Sequence, residues 1–366
     1  MVGEALNWQP IKVTYHVRQY AFGARLIPEM LGKRGTPDGI VAETWEISDY
    51  AHTSGTIIEG PHAGHHLHEL IRAHPEEVIG VGGSGLHFPL LAKFLDASHM
   101  LPVHLHADDE TARRLHDAPH GKTEAWHILW CADDATILAG VKPGLSEEEL
   151  VAAFKAQDYD RVMPRHPIHP GDTVYVPGGI LHSFGPDTLI FEIQQTSDLA
   201  QSVMPTDLAG NRLPDDVWDQ NIQATLAELK TNYMPKPNGG LKKTNHAGNG
   251  NRFSVGAAGP HFALERWSLV APYRHIAPIG KCLTLSNLGP MVSIAFNGGV
   301  TTLGQAESCI IPAVLGEFTI VPDNPTALIA CFVPDLQADI VQPLRAAGHS
   351  DDEIAALGEV PSAAFA

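Results

Sequence analysis

The sequence predicts an all-β protein with a few helices, divided into two domains. Many short apolar runs rich in Val, Ile, Leu and Phe are separated by Gly, Pro and Asp, and few stretches show the period of an amphipathic helix. A segment rich in Gly, Asn, Pro and Lys, from Pro235 to Phe253, separates two β-rich blocks and is interpreted as a linker or mobile loop. The length of 366 residues also exceeds the usual size of one hydrophobic core.

Strands and helices are assigned from the apolar period along the chain. Strands are expected at residues 11–17, 44–48, 88–97, 102–106, 123–131, 172–177, 188–194, 262–270, 291–297, 308–314, 317–322 and 327–333. Amphipathic helices are expected at residues 67–80, 145–157 and 215–230. Ser146 begins the second helix and is followed by acidic residues in the first turn, which is typical of a helix N-terminus.

Composition and charge exclude several classes of partner. The net charge of −18 argues against nucleic acid, because binding to a phosphate backbone relies on clustered Lys and Arg. No run approaches the ~20 apolar residues that span a bilayer, so no membrane partner is expected. The N-terminal residues lack the pattern of a secretory signal, which predicts a cytoplasmic location. Four widely spaced cysteines are expected to be reduced core thiols: Cys131, Cys282, Cys309 and Cys331.

Candidate metal ligands concentrate in the first β-rich block. His104 and His106 are two residues apart in a strand-like run, so both imidazoles should lie on one face and can chelate one ion. Glu124 begins an apolar strand-like run, where a buried carboxylate needs a partner. His182 follows a Pro-Gly-Gly turn at the start of another strand. These four residues predict one divalent ion, and zinc, manganese, iron, cobalt and nickel are all suited to such a set.

Another group of histidines is interpreted as exposed side chains. The chain has 21 histidines, so close pairs also arise by chance. His62, His65, His66 and His68 precede a helical pattern and should face solvent. His68 has no second histidine four residues later, so the pattern is not that of a zincin protease.

The order of several segments resembles the type I mannose-6-phosphate isomerase family, a member of the cupin superfamily. The resembling segments are FPLLAKFLDA at 88–97, LPVHLHADDETARRL at 101–115, GKTEAWHIL at 121–129, HPGDTVYVPGGILHSFG at 169–185 and FEIQQTSD at 191–198. The stretches at 25–33, 40–49 and 307–321 are also similar to that family. The resemblance implies two cupin (jelly-roll) β-barrels, a zinc-type ion in the first barrel, and interconversion of an aldose with its 2-ketose.

The chain departs from the family pattern at three positions. His104 stands where the family usually has Gln, which gives a set of three histidines and one glutamate. Ser202 stands where the family has an active-site arginine, so a cation near the substrate is missing. Glu317 occupies the position relative to Pro312 that His182 holds relative to Pro177, and the second barrel is therefore expected to be metal-free.

Two further residues are assigned to the reaction. Glu192, in the family-like FEIQ segment, is the candidate base that moves a proton between C1 and C2, although a half-buried structural carboxylate explains it equally well. Lys122 is expected to stabilise charge or hold the substrate.

The domain boundaries and the function follow from these assignments. We expect a catalytic cupin domain at residues 1–200, a helical segment and linker at 201–252, a second cupin-like domain at 253–336 and a C-terminal tail at 337–366. The resemblance implies that the function is that of a metal-dependent aldose–ketose isomerase, which we expect to convert mannose 6-phosphate to fructose 6-phosphate or to act on a related sugar. Alternatives are an isomerase of an unphosphorylated sugar, a cupin oxygenase, and a non-catalytic sugar-binding regulator. No oligomeric state is predicted.

Overall fold

The strands of the computed structural model all run antiparallel to their neighbours in four sheets. The structure describes residues 7–81, 83, 86–245, 247–276 and 280–366. In the first part of the chain the strands are β1 (His16–Arg18), β2 (Glu43–Ile47), β3 (Leu90–Ala97), β4 (His104–Leu105), β5 (Glu124–Cys131), β6 (Thr136–Ala139), β7 (Arg165–Pro167), β8 (Thr173–Val176), β9 (His182–Phe184), β10 (Thr188–Gln195) and β11 (Gln201–Ser202).

The second part of the chain contributes a further set of strands. These are β12 (Leu241–Lys243), β13 (Arg252–Ala258), β14 (Ala263–Leu269), β15 (Tyr273–Ile276), β16 (Leu283–Asn287), β17 (Val292–Phe296), β18 (Gly299–Leu303), β19 (Ser308–Ile311), β20 (Glu317–Pro322) and β21 (Thr326–Phe332).

Short helices connect these strands. They are α1 (Leu26–Met30), α2 (Leu67–Ala73), α3 (Pro75–Val78), α4 (Asp109–His116), α5 (Glu147–Ala156), α6 (Tyr159–Val162), α7 (Asp215–Glu228), α8 (Gln342–Ala346) and α9 (Asp351–Ala355). Three turns of 3₁₀-helix and one π-helical turn complete the set, at Ala51–Thr53, Ala313–Leu315, Ser362–Phe365 and Leu336–Val341. Among the described residues, none of these helices has the length and the apolar content that crossing a bilayer requires.

The sheets occur as two similar pairs. In the first pair, a six-stranded sheet has the order β1-β2-β3-β10-β5-β8 and a five-stranded sheet the order β11-β4-β9-β6-β7. In the second pair, the orders are β12-β13-β14-β21-β16-β19 and β15-β20-β17-β18. The structure is therefore mostly β with several helices, which supports the predicted all-β class only in part. The strand pairings of the described residues give open sheets and no closed barrel, so the predicted two-barrel form is not confirmed.

Each pair of sheets encloses its own core, and a third core joins the pairs. Trp126, Ile137 and Phe184 bring β5, β6 and β9 together in the first pair. A cluster that includes Trp267 and Ile320 fills the second pair. The joining core contains apolar side chains of β3, β10, β14 and β21, all fully or almost fully buried. The two six-stranded sheets are therefore packed against one another.

The predicted strands agree well with the observed ones. Each predicted run contains or overlaps a strand, and the run 317–322 coincides with β20. The helix expected at 67–80 is instead two helices, α2 and α3, because His74 leaves the helical region immediately before Pro75 (φ −141°, ψ 58°). The helix begun by Ser146 is confirmed as α5, with a capping box between Ser146 and Glu149.

Several segments have structure that the sequence did not predict. Helix α4 was missed because its sequence DETARRLH is almost entirely polar, and only the Asp108 side chain, which accepts from the Thr111 N–H, indicates its start. The Gly- and Asn-rich segment contains β12, which pairs with β13. The C-terminal residues pack Ile340, Leu344 and Ile354 in one buried cluster with residues of β13 and β14.

Candidate active site

Two adjacent short strands bring the histidines together. Strands β4 and β9 pair so that His104 lies directly opposite His182. His106 follows β4 immediately, on the same side as His104 because side chains alternate along an extended chain. Strand β11 borders β4 on its other edge and places Ser202 opposite His104.

Two glycines allow the segments that carry Lys122 and His182 to come close together. A Cβ atom on Gly121 would lie 2.2 Å from the Ala107 carbonyl oxygen, and one on Gly178 would lie 2.6 Å from the Asp108 Cα. Both positions therefore pack directly against the backbone that follows His106, and the Lys122 N–H donates to the Ala107 carbonyl at 2.9 Å. The glycines of the Gly-Lys-Thr-Glu and Pro-Gly-Gly motifs are therefore explained sterically, because a side chain at either position would clash with this backbone.

Glu124 is the first residue of β5, and the neighbouring strand β10 carries Glu192. Glu192 lies opposite Trp126 on one side and opposite Lys93 of β3 on the other. All the side chains of β10 are buried. The structure therefore places this carboxylate inside the protein beside the histidine cluster.

The four predicted ligands converge on one point. His182 Nε2 lies 3.2 Å from His104 Nε2 and 3.0 Å from Glu124 Oε1, and His106 Nε2 lies 3.5 Å from Glu124 Oε2. Within the described part of the chain, the three histidines form the group of metal-binding side chains whose ligand atoms all lie within 4.8 Å of one another. Glu124 and His182 are each 1% exposed and His106 is 4% exposed, whereas His104 is half-buried and lines a pocket.

Each imidazole is oriented by a backbone carbonyl. The Nδ1 atoms of His104, His106 and His182 donate to the carbonyl oxygens of Pro102, Leu199 and Ile180 at 2.7, 2.7 and 2.8 Å. This fixes the tautomer and leaves the lone pair of each Nε2 directed into the cluster. Metal-ligating histidines commonly have this arrangement.

The protonation states also suit a cation. Burial, together with the other two imidazoles, lowers the pKa of His104, and burial with the Lys122 ammonium lowers that of His106 to about 3. Burial opposes ionisation of Glu124, but Lys122, His106 and His182 hold its pKa well below the usual range. Neutral imidazoles and an ionised carboxylate are the forms that bind a divalent ion.

Lys122 lies beside these ligands. Its Nζ is 2.7 Å from Glu124 Oε2 and donates to His106 Nε2 at 2.9 Å. It also lies 3.7 Å from Glu192 Oε1. The two residues assigned to the reaction are therefore next to each other and next to the candidate ligands.

A pocket of about 250 Å³ opens onto this cluster. Its lining is Tyr20, Phe22, Glu43, Lys93, Leu95, Leu101, Pro102, His104, His106, Lys122, Glu124, Phe184, Glu192, Asp198, Ala200, Ser202 and Leu208. The volume suits a small ligand with a few charged or polar contacts. Ser202, at the position where an arginine was expected, lines this pocket.

Sequence reasoning missed three charged residues of the pocket, namely Glu43, Lys93 and Asp198. Lys93 Nζ lies 3.2 Å from Glu192 Oε1 and 3.8 Å from Glu43 Oε2. Burial alone would lower the pKa of Lys93, but Glu192 and Glu43 raise it instead, so the ammonium stays charged. The available signal was the presence of Lys93 inside a largely apolar strand, because a buried lysine requires a carboxylate partner.

Other residues named in the sequence lie elsewhere or act indirectly. Trp126 is buried beside the cluster and donates from Nε1 to Glu124 Oε1 at 3.2 Å. Glu317 is exposed and forms a double ion pair with Arg274. Of the exposed histidines expected at the start of α2, His65 and His66 are exposed, and His62 and His68 are half-buried.

Comparisons with known proteins agree with this geometry. Residues 11–124 match the family described as phosphomannose isomerase type I, catalytic domain. The chain is 31% identical over 285 residues to a Bacillus subtilis protein named "Probable mannose-6-phosphate isomerase GmuF", covering 78% of this chain and 87% of the relative. The chain belongs to the type I mannose-6-phosphate isomerase family. It is therefore an aldose–ketose isomerase.

Further similarities extend over most of the chain. A second Bacillus subtilis relative, named "Putative mannose-6-phosphate isomerase YvyI", is 28% identical over 86% of this chain and 96% of its own length. The crystal structure of the mannose 6-phosphate isomerase from Bacillus subtilis superposes with a TM-score of 0.78 at 26% identity, covering 88% of this chain and 99% of that protein. The type I mannose-6-phosphate isomerase family is metal-dependent, and the three clustered histidines could hold the ion.

Proposed function

We propose that the protein interconverts mannose 6-phosphate and fructose 6-phosphate in the pocket around His104, His106 and His182. The observation that carries the proposal is the convergence of these three imidazoles and Glu124 beside Lys122 and Glu192 in one small pocket. The substrate is inferred from the names of the relatives. The pocket contains the acid–base and charge-stabilising groups that the proton transfer requires.

One divalent ion, with zinc the first choice, fits the site. Three Nε2 atoms and one carboxylate are a donor set for zinc, and manganese, iron, cobalt and nickel accept the same set. Glu124 Oε2 is buried and accepts no hydrogen bond from the described residues, although Lys122 Nζ lies 2.7 Å away, and such an oxygen also suits an ion. When bound, the ion polarises the hydroxyl and carbonyl oxygens of the sugar as a Lewis acid.

Glu192 would transfer the proton between C1 and C2. Its carboxylate lines the pocket, and burial raises its pKa, although Lys93 and Lys122 oppose the shift. A carboxylate with a raised pKa is a better base near neutral pH than an exposed one. Lys93, 3.2 Å away, would hold Glu192 in position.

Lys122 would stabilise the negative charge that develops on the substrate oxygens. Its ammonium group donates to the lone pair of His106 Nε2 and contacts Glu124. His106 and Glu124 would hold the ion with the same atoms that Lys122 contacts here. The ammonium would then be available to a substrate oxygen, and preorganised cations of this kind lower the cost of an enediolate.

An unphosphorylated aldose is a second candidate substrate, and the charges of the pocket favour it. The described lining carries four carboxylates, from Glu43, Glu124, Glu192 and Asp198, but only Lys93 and Lys122 as cations. Both lysines are already paired with carboxylates. Ser202 has a hydroxyl at the position where the guanidinium of an arginine would form two hydrogen bonds to a phosphoryl group.

We also infer the domain architecture of the chain and the cellular location of the protein. Each pair of sheets would be one cupin jelly roll, with the catalytic unit at residues 1–200, a connecting segment at 201–252, a metal-free unit at 253–336 and a tail at 337–366. The separate cores within each pair support this division. The four cysteines are buried and unpaired, which supports a reducing compartment such as the cytoplasm.

The test is an isomerase assay on zinc-, manganese- and iron-loaded protein, with mannose 6-phosphate and free mannose side by side. Formation of fructose 6-phosphate supports the proposal. Ketose formation from free mannose but not from mannose 6-phosphate would favour an unphosphorylated aldose as the substrate. The presence of Ser202 in place of the arginine would then explain the change in specificity. No ketose from either sugar with any metal would contradict both.

A further inference from the structure

The strands of the two pairs of sheets correspond one to one. Adding eleven to the number of each strand from β1 to β10 reproduces both sheet orders of the second pair, β12-β13-β14-β21-β16-β19 and β15-β20-β17-β18. Among the strands of the described residues, β11 is the one without a counterpart. Strand β15 therefore corresponds to β4, β16 to β5 and β20 to β9.

A pocket of the second pair of sheets lies at the position that corresponds to the proposed catalytic pocket. We call it the second pocket; its volume is about 230 Å³, compared with about 250 Å³ for the pocket beside His104. Tyr273 and His275 of β15 line it, as His104 of β4 lines the first pocket. Leu283, the first residue of β16, lines it in the same way that Glu124, the first residue of β5, lines the first pocket.

The second pocket has apolar side chains where the first has candidate metal ligands. Across β4 and β9, His104 lies opposite His182, whereas across β15 and β20, His275 lies opposite Phe318. The rings of His275 and Phe318 have centroids 5.0 Å apart. One imidazole is a poor donor set for a divalent ion, so we expect an organic ligand in this pocket.

Aromatic rings form one wall of the second pocket. The centroid of the Trp267 ring lies 5.2 Å from the centroids of both the Tyr273 and the His275 rings. Burial, with Lys243 nearby, lowers the pKa of His275 to about 4, so the imidazole is neutral and its Nδ1 can accept from the Tyr273 hydroxyl at 3.1 Å. Such rings pack against an apolar ligand face, and their polar atoms can form hydrogen bonds at its edge.

Ion pairs form the polar part of the wall. Lys243 Nζ donates to Glu265 Oε1 at 2.8 Å, and Trp267 Nε1 donates to Glu265 Oε2 at 2.8 Å. The Glu265 side chain is 5% exposed and that of Lys243 is 26% exposed. Lys281 and Asp339 form a second pair in the same lining. Apolar side chains of similar size often stabilise a fold as well as buried ion pairs do, so stability alone does not explain these charges.

The charges of the second pocket balance. Its described lining carries two lysines and two carboxylates, and each lysine is paired with one of the carboxylates. Neither lysine is left to neutralise an anionic ligand. A hydroxyl group, by contrast, can donate to Glu265 and accept from Lys243 at the same time. An uncharged ligand with several hydroxyls and an apolar face therefore suits both parts of the wall.

We propose that the second pocket binds an uncharged monosaccharide, with the ring of the sugar against Tyr273 and His275 and its hydroxyls on Glu265 and Lys243. The volume is close to that of the proposed catalytic pocket, which would hold one sugar. The site is independent of the proposed isomerase reaction, because none of the residues that line the catalytic pocket lines this one.

The test is equilibrium dialysis of the full-length zinc-loaded protein against radiolabelled free mannose and free fructose. The unaltered protein should bind label, and His182→Ala, which lacks a proposed metal ligand, should retain one equivalent. In either background, Lys243→Met combined with Glu265→Gln should weaken that equivalent by more than about 10-fold, because both charged hydrogen-bond partners are removed. Turnover of mannose 6-phosphate should be unchanged by these two substitutions alone.

Two further variants make the test specific. Arg274→Gln combined with Glu317→Gln is the matched control, because it removes an exposed ion pair of β15 and β20 outside the described lining, and it should leave binding unchanged. Ala338 is exposed and lines the second pocket, so Ala338→Trp should obstruct the sugar while leaving the ion pair in place.

The outcomes separate this proposal from the proposed function. Label that is lost in His182→Ala but unaffected by Ala338→Trp and by the Lys243 and Glu265 substitutions would place the sugar in the catalytic pocket and overturn the proposal. The absence of bound label from every protein at millimolar sugar would also overturn it. Retained label without any turnover of mannose 6-phosphate by the unaltered protein would contradict the proposed function alone.

Discussion

At the scale of single residues, the catalytic assignments depend on a few buried charges. Glu192 contacts Lys93 and lies near Lys122, and Glu124 contacts Lys122. These carboxylates and ammonium groups alternate, so each buried charge has a partner of opposite sign. The sequence predicted Lys122, Glu124 and Glu192 from the motifs in which they occur. Lys93 and Glu43 were not predicted, because their proximity depends on the pairing of β2, β3 and β10.

Replacement of Glu192 tests its role as the base. Glu192→Gln keeps the shape of the side chain but removes the proton acceptor, so kcat should fall by roughly 10²–10⁴-fold. Metal content should be unchanged, because Glu192 is not among the proposed ligands. Steady-state kinetics with elemental analysis of the same sample measures both. Unchanged turnover would assign Glu192 a structural role instead.

Replacement of a metal ligand, unlike replacement of Glu192, should lower the metal content as well as turnover. His182→Ala removes one of three imidazoles, itself only 1% exposed, so the protein should lose its divalent ion on dialysis and its turnover with it. His169→Ala is the matched control, because that side chain is 73% exposed and is not among the described lining of the pocket. Equal metal content in both variants would remove His182 from the ligand set.

His127 should contribute to the pH dependence of stability. Burial, with Arg266 nearby, lowers its pKa to about 3, compared with about 6.5 when unfolded. Between these pH values the unfolded chain binds more protons than the folded one. The contribution of His127 to the free energy of unfolding is therefore fully present above about pH 6.5 and decreases as the pH falls towards 3. In urea unfolding between pH 7 and 4, His127→Gln should show a shallower loss than the unaltered protein. An identical slope would contradict this assignment.

At the scale of elements, local sequence predicted most strands but few of the short helices. Runs of apolar residues identified the β3, β5 and β10 strands because these strands are buried along their length. Helix α4 has no apolar face to detect and depends on the Asp108 cap. Strand β12 was missed because its three residues become a strand only through pairing with β13. Such pairing is a tertiary effect that local propensity does not contain.

The cap of α5 offers a local test. The Ser146 hydroxyl accepts from the Glu149 N–H, and the Glu149 side chain accepts from the Ser146 N–H. Ser146→Ala should lower the free energy of unfolding by about 1 kcal/mol, whereas Ser146→Gly should cost only a few tenths. Urea denaturation of the two variants compares these values. Unchanged stability of Ser146→Ala would mean that the hydroxyl does not stabilise the helix.

At the scale of the whole molecule, the two pairs of sheets share a core. Phe262 and Tyr175 come from different pairs, and their rings lie 5.5 Å apart in that core. The sequence predicted two β-rich blocks and the ligands of one site. It contained no signal for the packing between the blocks, because such contacts join residues far apart in the chain.

The shared core predicts joint unfolding of the two pairs of sheets. Phe262 is fully buried, so Phe262→Ala should cost about 3–5 kcal/mol and destabilise both pairs together. Calorimetry should show one transition that moves as a whole to lower temperature. Two separate transitions, with only one of them shifted, would show that the pairs unfold independently.

The most direct test of the central claim is turnover of mannose 6-phosphate by protein that has been stripped with a chelator and reloaded with one equivalent of zinc. The account predicts that stripping abolishes fructose 6-phosphate formation and that one equivalent restores it in the unaltered protein, but not in His182→Ala. Full turnover by the stripped protein, or equal restoration in His182→Ala, would contradict a metal-dependent isomerase built on His104, His106, Glu124 and His182.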